Sequence, residues 1–283
     1  MIQPVQRDET LLADIRTVAD QQPDALHLWW LGQSGYLIQW QGQHLLLDPY
    51  LSDSLTRKYA DTAKPHVRMT AIPITPERLA FVDIVTSSHN HTDHLDAETL
   101  LPLLQGTPAL QVIVSAANRL FAAERLQVPP DRLTPITLDK PLTVGAFTFH
   151  AVPAAHEAIE QDEQGHHKFI GLIIEAGPWT LYHSGDTVLY PRIAETLRRW
   201  SLDLAFLPIN GRDAKRGVAG NLSGVEAAYL AKAIGAKRVI PCHYEMFEFN
   251  TVTPDAFMEQ AAALREPYRV LTCGERLDLD GAA

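Results

Sequence analysis

The chain has 283 residues, of which 46% are hydrophobic and 20% are charged, and this composition excludes a disordered or fibrous protein. The formal net charge of -10 disfavours a broad basic surface for nucleic acid. The two cysteines, Cys242 and Cys273, are too few for a disulfide framework and suit a reducing compartment. Because we find neither a secretory signal pattern nor a membrane-length apolar run, we expect a cytoplasmic protein.

In chain order, the first elements are a helix and a group of antiparallel strands. Apolar residues at helical spacing predict a helix over residues 8–20, and Pro23 breaks the pattern. Short apolar runs separated by glycine-containing turns then predict consecutive antiparallel strands, at 26–31, 35–40 and 44–48. Residues 51–76 are polar and without a period, so we expect a long loop there.

Strands and helices alternate through the rest of the chain. A buried strand at 81–86 stops at a histidine cluster, and Asp96 is the expected cap of the helix that follows. Ser223 and Glu226 form a capping box for a helix that Gly235 ends. The other predicted elements are a helix at 115–126 and strands at 111–114, near 134, and at 142–144, 147–152, 169–175, 180–183, 203–207 and 238–241.

The two halves have a similar plan, but they show no sequence repeat and no linker rich in Pro, Gly or Ser between them. Two stacked sheets flanked by helices would accommodate this order of elements. We therefore expect a single domain over residues 1–283.

A histidine-rich turn carries the strongest chemical signal. The sequence H-N-H-T-D-H places His89, His91, Asp93 and His94 directly after a strand, where imidazoles and a carboxylate can converge on one pocket. Imidazole and carboxylate donors suit zinc, manganese or iron, whereas an all-thiolate set is typical of structural zinc. The pattern predicts a metal site rather than a polar surface loop.

Four donors in one turn could crowd one ion or serve two, and a pair of ions needs donors from elsewhere. His156 follows a strand in V-P-A-A-H-E, and His243 follows another in I-P-C-H-Y. Asp186 follows a third in Y-H-S-G-D, where Gly185 allows a tight backbone path before the carboxylate. These three residues are the candidates for the additional donors.

This order of motifs resembles the metallo-β-lactamase superfamily, and the resemblance implies its α/β fold, an αββα four-layer sandwich. It implies one ion on His89, His91 and His156 and a second on Asp93, His94 and His243. It further implies that Asp186 bridges the two divalent ions, zinc or manganese. Asp93 would also be the catalytic acid/base, and Asp48 in L-L-D-P-Y would orient the cluster from behind.

Further stretches are similar to the L-ascorbate-6-phosphate lactonase branch, namely W-L-G-Q-S-G-Y-L-I, H-S-G-D-T, L-P-I-N-G-R, G-N-L-S and I-P-C-H-Y-E-M-F. This likeness implies substrate contacts at Asn210, Arg212 and Asn221. Arg57 and Arg68 in the long loop are candidates for pairing with a substrate phosphate. Ser34, within G-Q-S-G-Y, is interpreted as a turn residue because its segment lies between strands and does not enter a helix.

Two ions sharing a water would deliver hydroxide to a carbonyl or phosphorus centre without a protein nucleophile. The expected function is therefore hydrolysis of a lactone or ester in a small polar molecule, such as a phosphorylated sugar. A metal-dependent phosphodiesterase and a non-enzymatic metal-binding protein are the alternatives. We expect a small-molecule substrate and neither nucleic acid nor a membrane as partner, and the sequence leaves a homo-oligomer open.

Overall fold

The structure, a computed structural model, describes residues 1–213 and 220–280. Two β-sheets lie face to face, and helices cover both outer faces. Within the described ranges the strands are β1 (Leu26–Gly32), β2 (Gly35–Trp40), β3 (Gln43–Leu47), β4 (Ile84–Ser87), β5 (Gln111–Ser115), β6 (Leu133–Ile136), β7 (Leu142–Val144), β8 (Phe147–Pro153), β9 (Ile170–Ala176), β10 (Trp179–His183), β11 (Leu204–Pro208), β12 (Val239–Cys242) and β13 (Arg276–Leu279).

Both sheets mix parallel and antiparallel pairing. The first has the order β13-β1-β2-β3-β4-β5-β6, antiparallel from β13 to β3 and parallel from β3 to β6. The second has the order β12-β11-β10-β9-β8-β7, parallel from β12 to β10 and antiparallel beyond. The consecutive antiparallel pairing of β1, β2 and β3 confirms the prediction for that segment.

The layers follow from the alternation of side chains along each strand. In β1, Leu28 and Trp30 belong to the core between the sheets, whereas Trp29 and Leu31 belong to the core beneath the helices. Because both faces are covered, β1 is fully buried and its sequence is apolar almost throughout. The arrangement is the predicted αββα sandwich.

The helices divide between the two outer faces. Those on the first sheet contribute Leu11, Leu100 and Leu126 to its outer core, and those on the second sheet include a packed pair that contacts β11 and β12. Within the described ranges the α-helices are α1 (Asp8–Gln21), α2 (Ser54–Lys58), α3 (Ala97–Gly106), α4 (Arg119–Leu126), α5 (Ile193–Leu197), α6 (Gly224–Ile234) and α7 (Asp255–Ala263), with 3-10 turns at Pro76–Leu79, Ala116–Asn118 and Pro130–Arg132.

Several boundaries differ from the prediction. Strand β4 begins at Ile84 rather than at residue 81, since the backbone of Val82 turns back to Leu79. The predicted helix at 115–126 starts with a 3-10 turn and becomes α-helical at Arg119. The capping box of α6 is confirmed, and Gly235 ends that helix in the left-handed conformation at φ +69°. The prediction did not name α2, α5, α7 or β13.

Asp96 is the N-cap residue of α3, as predicted, but its carboxylate accepts no hydrogen bond from the helix backbone. The hydroxyls of Ser54 (2.8 Å) and Thr99 (2.6 Å) donate to this carboxylate instead. Asp96 thereby fixes the start of α2 against the turn that carries the histidines.

Neither cysteine forms a disulfide, and both thiols are buried. Burial raises the pKa of Cys273 to about 12, which leaves it in the unreactive thiol form. Across residues 1–213 and 220–280, we find no helix with the length and apolar character needed to cross a membrane.

Candidate metal centre

Loops at the ends of four strands bring the candidate donors together. The turn between β4 and α3 carries the histidine cluster, and the other donors follow β8, β10 and β12. Both sheets therefore contribute to one site. Two separate groups of candidate donors have ligand atoms within 4.8 Å of one another, namely His89, His91, His156 and Asp186 in the first group and Asp93, His94 and His243 in the second. A third combination that meets the same distance, Asp48 with His89 and His94, shares one histidine with each of them.

The second group, together with Asp186, approaches the geometry of a tetrahedral metal site. Oδ1 of Asp186 lies 3.3 Å from His94 Nε2 and 3.4 Å from His243 Nε2. Oδ2 of Asp93 lies 3.7 Å and 3.6 Å from the same two nitrogens. An ion about 2.1 Å from each donor of a tetrahedron separates the donors by about 3.4 Å. The four printed distances therefore match the donor spacing of a tetrahedral zinc site to within a few tenths of an ångström.

The first group is arranged around the other oxygen of Asp186. Oδ2 lies 3.8 Å from His156 Nδ1, and the rings of His89 and His91 lie with their centroids 4.6 Å apart. His156 Nδ1 donates a hydrogen bond to the carbonyl of Gly220 at 2.8 Å, so its Nε2 carries no proton and is available to bind a metal ion. Asp186 thus faces both groups, one with each oxygen.

Unpaired buried atoms test whether these residues fit metal ions. His89 Nε2, His94 Nε2 and Asp186 Oδ1 are buried and have no hydrogen-bond partner in the described parts of the chain. Such atoms are costly in a folded protein unless something else satisfies them. Their convergence, together with the donor chemistry, fits divalent cations.

The buried carboxylates and imidazoles influence each other strongly. Burial alone would raise the pKa of Asp186, but His243 and His94 hold it well below its usual value. Burial alone would likewise lower the pKa of His243, but Asp186 and Asp93 outweigh that effect and raise it to about 9. Without an ion, the carboxylates therefore retain positive charge on these rings, which is the charge that a bound cation would supply.

Asp48 lies directly behind the second group. Its Oδ2 accepts from His94 Nδ1 at 2.7 Å, and its Oδ1 accepts from the backbone N–H of Ser88 at 2.9 Å. The Ser88 hydroxyl also donates to this carboxylate. Because Nδ1 of His94 is engaged, its Nε2 is left to face Asp93 and Asp186. This is the position from which Asp48 can orient the cluster.

Gln33 is a site residue that the sequence analysis missed. Its side-chain Nε2 donates to Asp93 Oδ2 at 2.8 Å and lies 3.0 Å from His243 Nε2. Its carbonyl accepts from the backbone N–H of His243 at 3.0 Å and from Trp30 Nε1 at 3.1 Å. The residue is 1% exposed and has φ +52°. The available signal was a long polar side chain in a turn between two fully buried strands.

Replacing Gln33 with leucine is expected to lower the metal affinity of the site nearest Asp93 by about 10- to 100-fold. This is the usual effect of removing a residue that hydrogen-bonds to a metal ligand. Zinc affinity measured against a competing chelator of known strength checks this. The matched control is Gln39→Leu, which removes another buried glutamine, on β2. An equal loss in both variants would contradict a specific role for Gln33.

A cavity of about 440 Å³ opens above the donors. Asn210 and Asn221 line it, and their contact with substrate stays a prediction. Arg212 does not line it: its guanidinium pairs with Glu226 at 2.8 Å and borders a neighbouring groove. The capping box of α6 holds the Glu226 carboxylate in place, and the planar guanidinium of Arg212 is suited to pair with a carboxylate. In this structure Arg212 faces the neighbouring groove, and a contact of Arg212 with substrate stays a prediction.

The two loop arginines are also engaged elsewhere. Arg57 pairs with Glu98 near the surface, and Arg68 is buried against Asp53 and the carbonyl of Ser52. Neither lines the cavity, so the structure offers no support for the predicted phosphate contacts. The basic residues that line it are Lys58, Lys64 and Arg125.

Comparison with known proteins gives relatives over most of the chain. A protein named UPF0173 metal-dependent hydrolase from Caldivirga maquilingensis is 24% identical over 86% of this chain and 93% of its own. A protein of the same name from Rubrobacter xylanophilus is 27% identical over 83% of this chain and 89% of its own.

Solved structures with the same fold include an isothiocyanate hydrolase from Delia radicum gut bacteria. It is 20% identical in sequence and has a TM-score of 0.70, and the match covers 89% of this chain and 98% of that one. The family model described as the β-lactamase superfamily domain matches residues 43–244, which include every candidate metal donor. The chain belongs to the β-lactamase superfamily.

Proposed function

We propose that this protein is a metal-dependent hydrolase that opens a lactone or ester in a small, polar, anionic molecule. A phosphorylated sugar lactone is the substrate that the likeness to the ascorbate-phosphate lactonase branch implies. The observation that carries the proposal is that Asp186 faces both donor groups, one with each carboxylate oxygen, beside a cavity of about 440 Å³. That volume suits a small molecule.

The chain's own residues have distinct tasks in this reaction. Two divalent ions, zinc or manganese, supply an activated water and polarise the substrate oxygen when bound. We assign His89, His91 and His156 to one ion, Asp93, His94 and His243 to the other, and Asp186 to both.

Asp93 is the catalytic acid/base of this proposal. Its side chain is 17% exposed, against 4% for Asp186, and it lines the cavity, so it can carry a proton to the leaving oxygen. Asn221 accepts from the N–H of Thr187 at 2.9 Å through Oδ1, and its Nδ2 has no partner among the described residues. That amide can donate to the substrate.

The charge of the cavity supports an anionic substrate. Apart from the candidate donors, the charged residues among its described lining are all basic: Lys58, Lys64 and Arg125. Arg125 donates to the carbonyls of Asn90 (2.7 Å) and Leu95 (3.1 Å), which fixes its guanidinium beside the histidine turn. In a chain of net charge -10, this local excess of cations would steer anions to the metals.

Turnover of a lactone panel and of bis-p-nitrophenyl phosphate, each with zinc and with manganese, tests the proposal. We expect lactone opening, and we expect Lys64→Ala to lower kcat/KM for a phosphorylated lactone by about fivefold but not for its unphosphorylated counterpart. Turnover of the diester alone would overturn the proposal in favour of a phosphodiesterase. A full metal load without any hydrolysis would favour a metal-binding protein that is not an enzyme.

A further inference from the structure

We propose that the outer wall of the cavity is a subsite for an aromatic ring on the substrate, formed by Tyr59, His66 and Phe249. This inference rests on the proposed function in one respect, that the ring belongs to the molecule being hydrolysed. It narrows the proposed substrates to anionic esters and lactones that carry an aromatic group, and it replaces the sugar lactone of the lactonase likeness, which has none.

His66 is the centre of a cluster of aromatic rings. It stacks on Tyr59 with centroids 4.2 Å apart and planes 17° apart. Phe249 lies 4.4 Å away at 54°, and Phe247 lies 5.1 Å away at 68°. All four side chains line the cavity that contains the metal donors. Tyr59, His66 and Phe249 are only partly buried, so ring surface is left for a ligand to cover.

The wall is held rigidly although it comes from two distant segments. Phe247 packs with Tyr50, Leu55 and Met246 in a small buried core, against which Tyr59 and Phe249 also pack. Two backbone hydrogen bonds join these segments on either side of the rings. Met69 N–H donates to the Met246 carbonyl (2.8 Å), and Glu248 N–H donates to the Val67 carbonyl (3.0 Å). A subsite whose rings are fixed in advance loses little entropy on binding.

The chemistry of the wall favours an aromatic ligand. Tilted and stacked rings offer both faces and edges, the arrangement in which aromatic groups attract each other beyond simple burial of area. His66 Nδ1 lies 3.1 Å from the Lys64 carbonyl, which can only accept, so Nδ1 carries the proton and the neutral ring has its lone pair on Nε2. A hydroxyl or N–H on the ligand ring can donate to that nitrogen.

Calorimetric titration of the zinc-loaded protein with phenylphosphonate, cyclohexylphosphonate and methylphosphonate tests the subsite without turnover. The phosphonate groups engage the metal centre alike, so differences in Kd report on the attached group. We expect phenylphosphonate to bind about tenfold more tightly than methylphosphonate and severalfold more tightly than cyclohexylphosphonate.

Variants locate the preference in the wall. In Phe249→Ala the phenyl-to-methyl ratio is expected to fall to about two, with the Kd of methylphosphonate unchanged within twofold. Phe249→Leu keeps apolar volume and should lose the preference for phenyl over cyclohexyl. Phe81→Ala is the matched control, since Phe81 is also a partly buried ring packed on a histidine, His44, but lies outside the cavity.

No binding of phenylphosphonate, equal affinity for the phenyl and cyclohexyl ligands, or a full preference retained in Phe249→Ala would each overturn the subsite. The outcome is separable from that of the proposed function. Ring-selective binding without hydrolysis of any ester or lactone would remove the proposed function and support the subsite. Hydrolysis without ring selectivity would do the reverse.

Discussion

Asp186→Ala is expected to lose both metal ions and to lower hydrolysis by at least about a thousandfold. Asp186 is the donor that faces both groups, with Oδ1 3.3 Å from His94 Nε2 and Oδ2 3.8 Å from His156 Nδ1. Without it, each ion loses a negative ligand, and the remaining imidazoles gain no replacement. Metal analysis of protein purified without chelator gives the number of ions per chain, which we expect to be close to two in the unaltered protein.

His91→Ala is the comparison that gives this experiment its meaning. His91 belongs to the first group alone, so its loss should remove one ion and leave the second in place. Thermal melts must show that both variants are folded. A full metal load in Asp186→Ala would show that the assignment of the shared ligand is wrong.

Asp48→Asn is expected to weaken metal binding, and with it kcat/KM, by about 10- to 100-fold. The carboxylate accepts from His94 Nδ1 on one oxygen and from Ser88 N–H on the other. An asparagine has one acceptor oxygen, so one of these donors is left facing an amide N–H. Where that donor is His94, the ring no longer directs an unprotonated Nε2 at the ion. Asparagine tolerates the φ of +37° at this position, so backbone strain does not explain the loss.

Asp203→Asn provides the matched control. Asp203 is a buried carboxylate directly before β11 and outside the cavity lining, and it accepts from Thr180 N–H at 2.8 Å and from Lys237 Nζ at 2.8 Å. Both variants can lose stability, but only Asp48→Asn should lose metal affinity. Equal affinity in the two would contradict the role of Asp48.

The sequence predicted the fold well because most of its strands are short apolar runs bounded by turn residues. The superfamily and its sandwich are confirmed by the family match and by structural neighbours. His89, His91, Asp93 and His94 could be recognised together since they are adjacent in the chain. Distant donors such as Asp186 depended on motif order, because spacing alone does not tell which strand ends share an edge. Their roles as ligands remain predictions.

Features that depend on tertiary contacts could not be predicted in this way. Arg212 was expected to contact the pocket because it lies beside Asn210 in the sequence, but its guanidinium pairs with Glu226 in the first turn of α6. Gln33 looked like part of a turn, because nothing local shows that the turn meets Asp93. His66 stands in a segment without periodicity, and only the pairing of that segment with residues 246–248 brings it to the cavity.

The pairing of β1 with β13 has a consequence for how the chain folds. His27 and Asp278 are 251 positions apart, and they meet at 2.6 Å across these two strands. During synthesis, a chain that has emerged only as far as β12 leaves one edge of β1 without its partner. An apolar strand with an open edge can pair with another chain. For this protein, the edge of β1 stays open to such pairing until β13 has been synthesised.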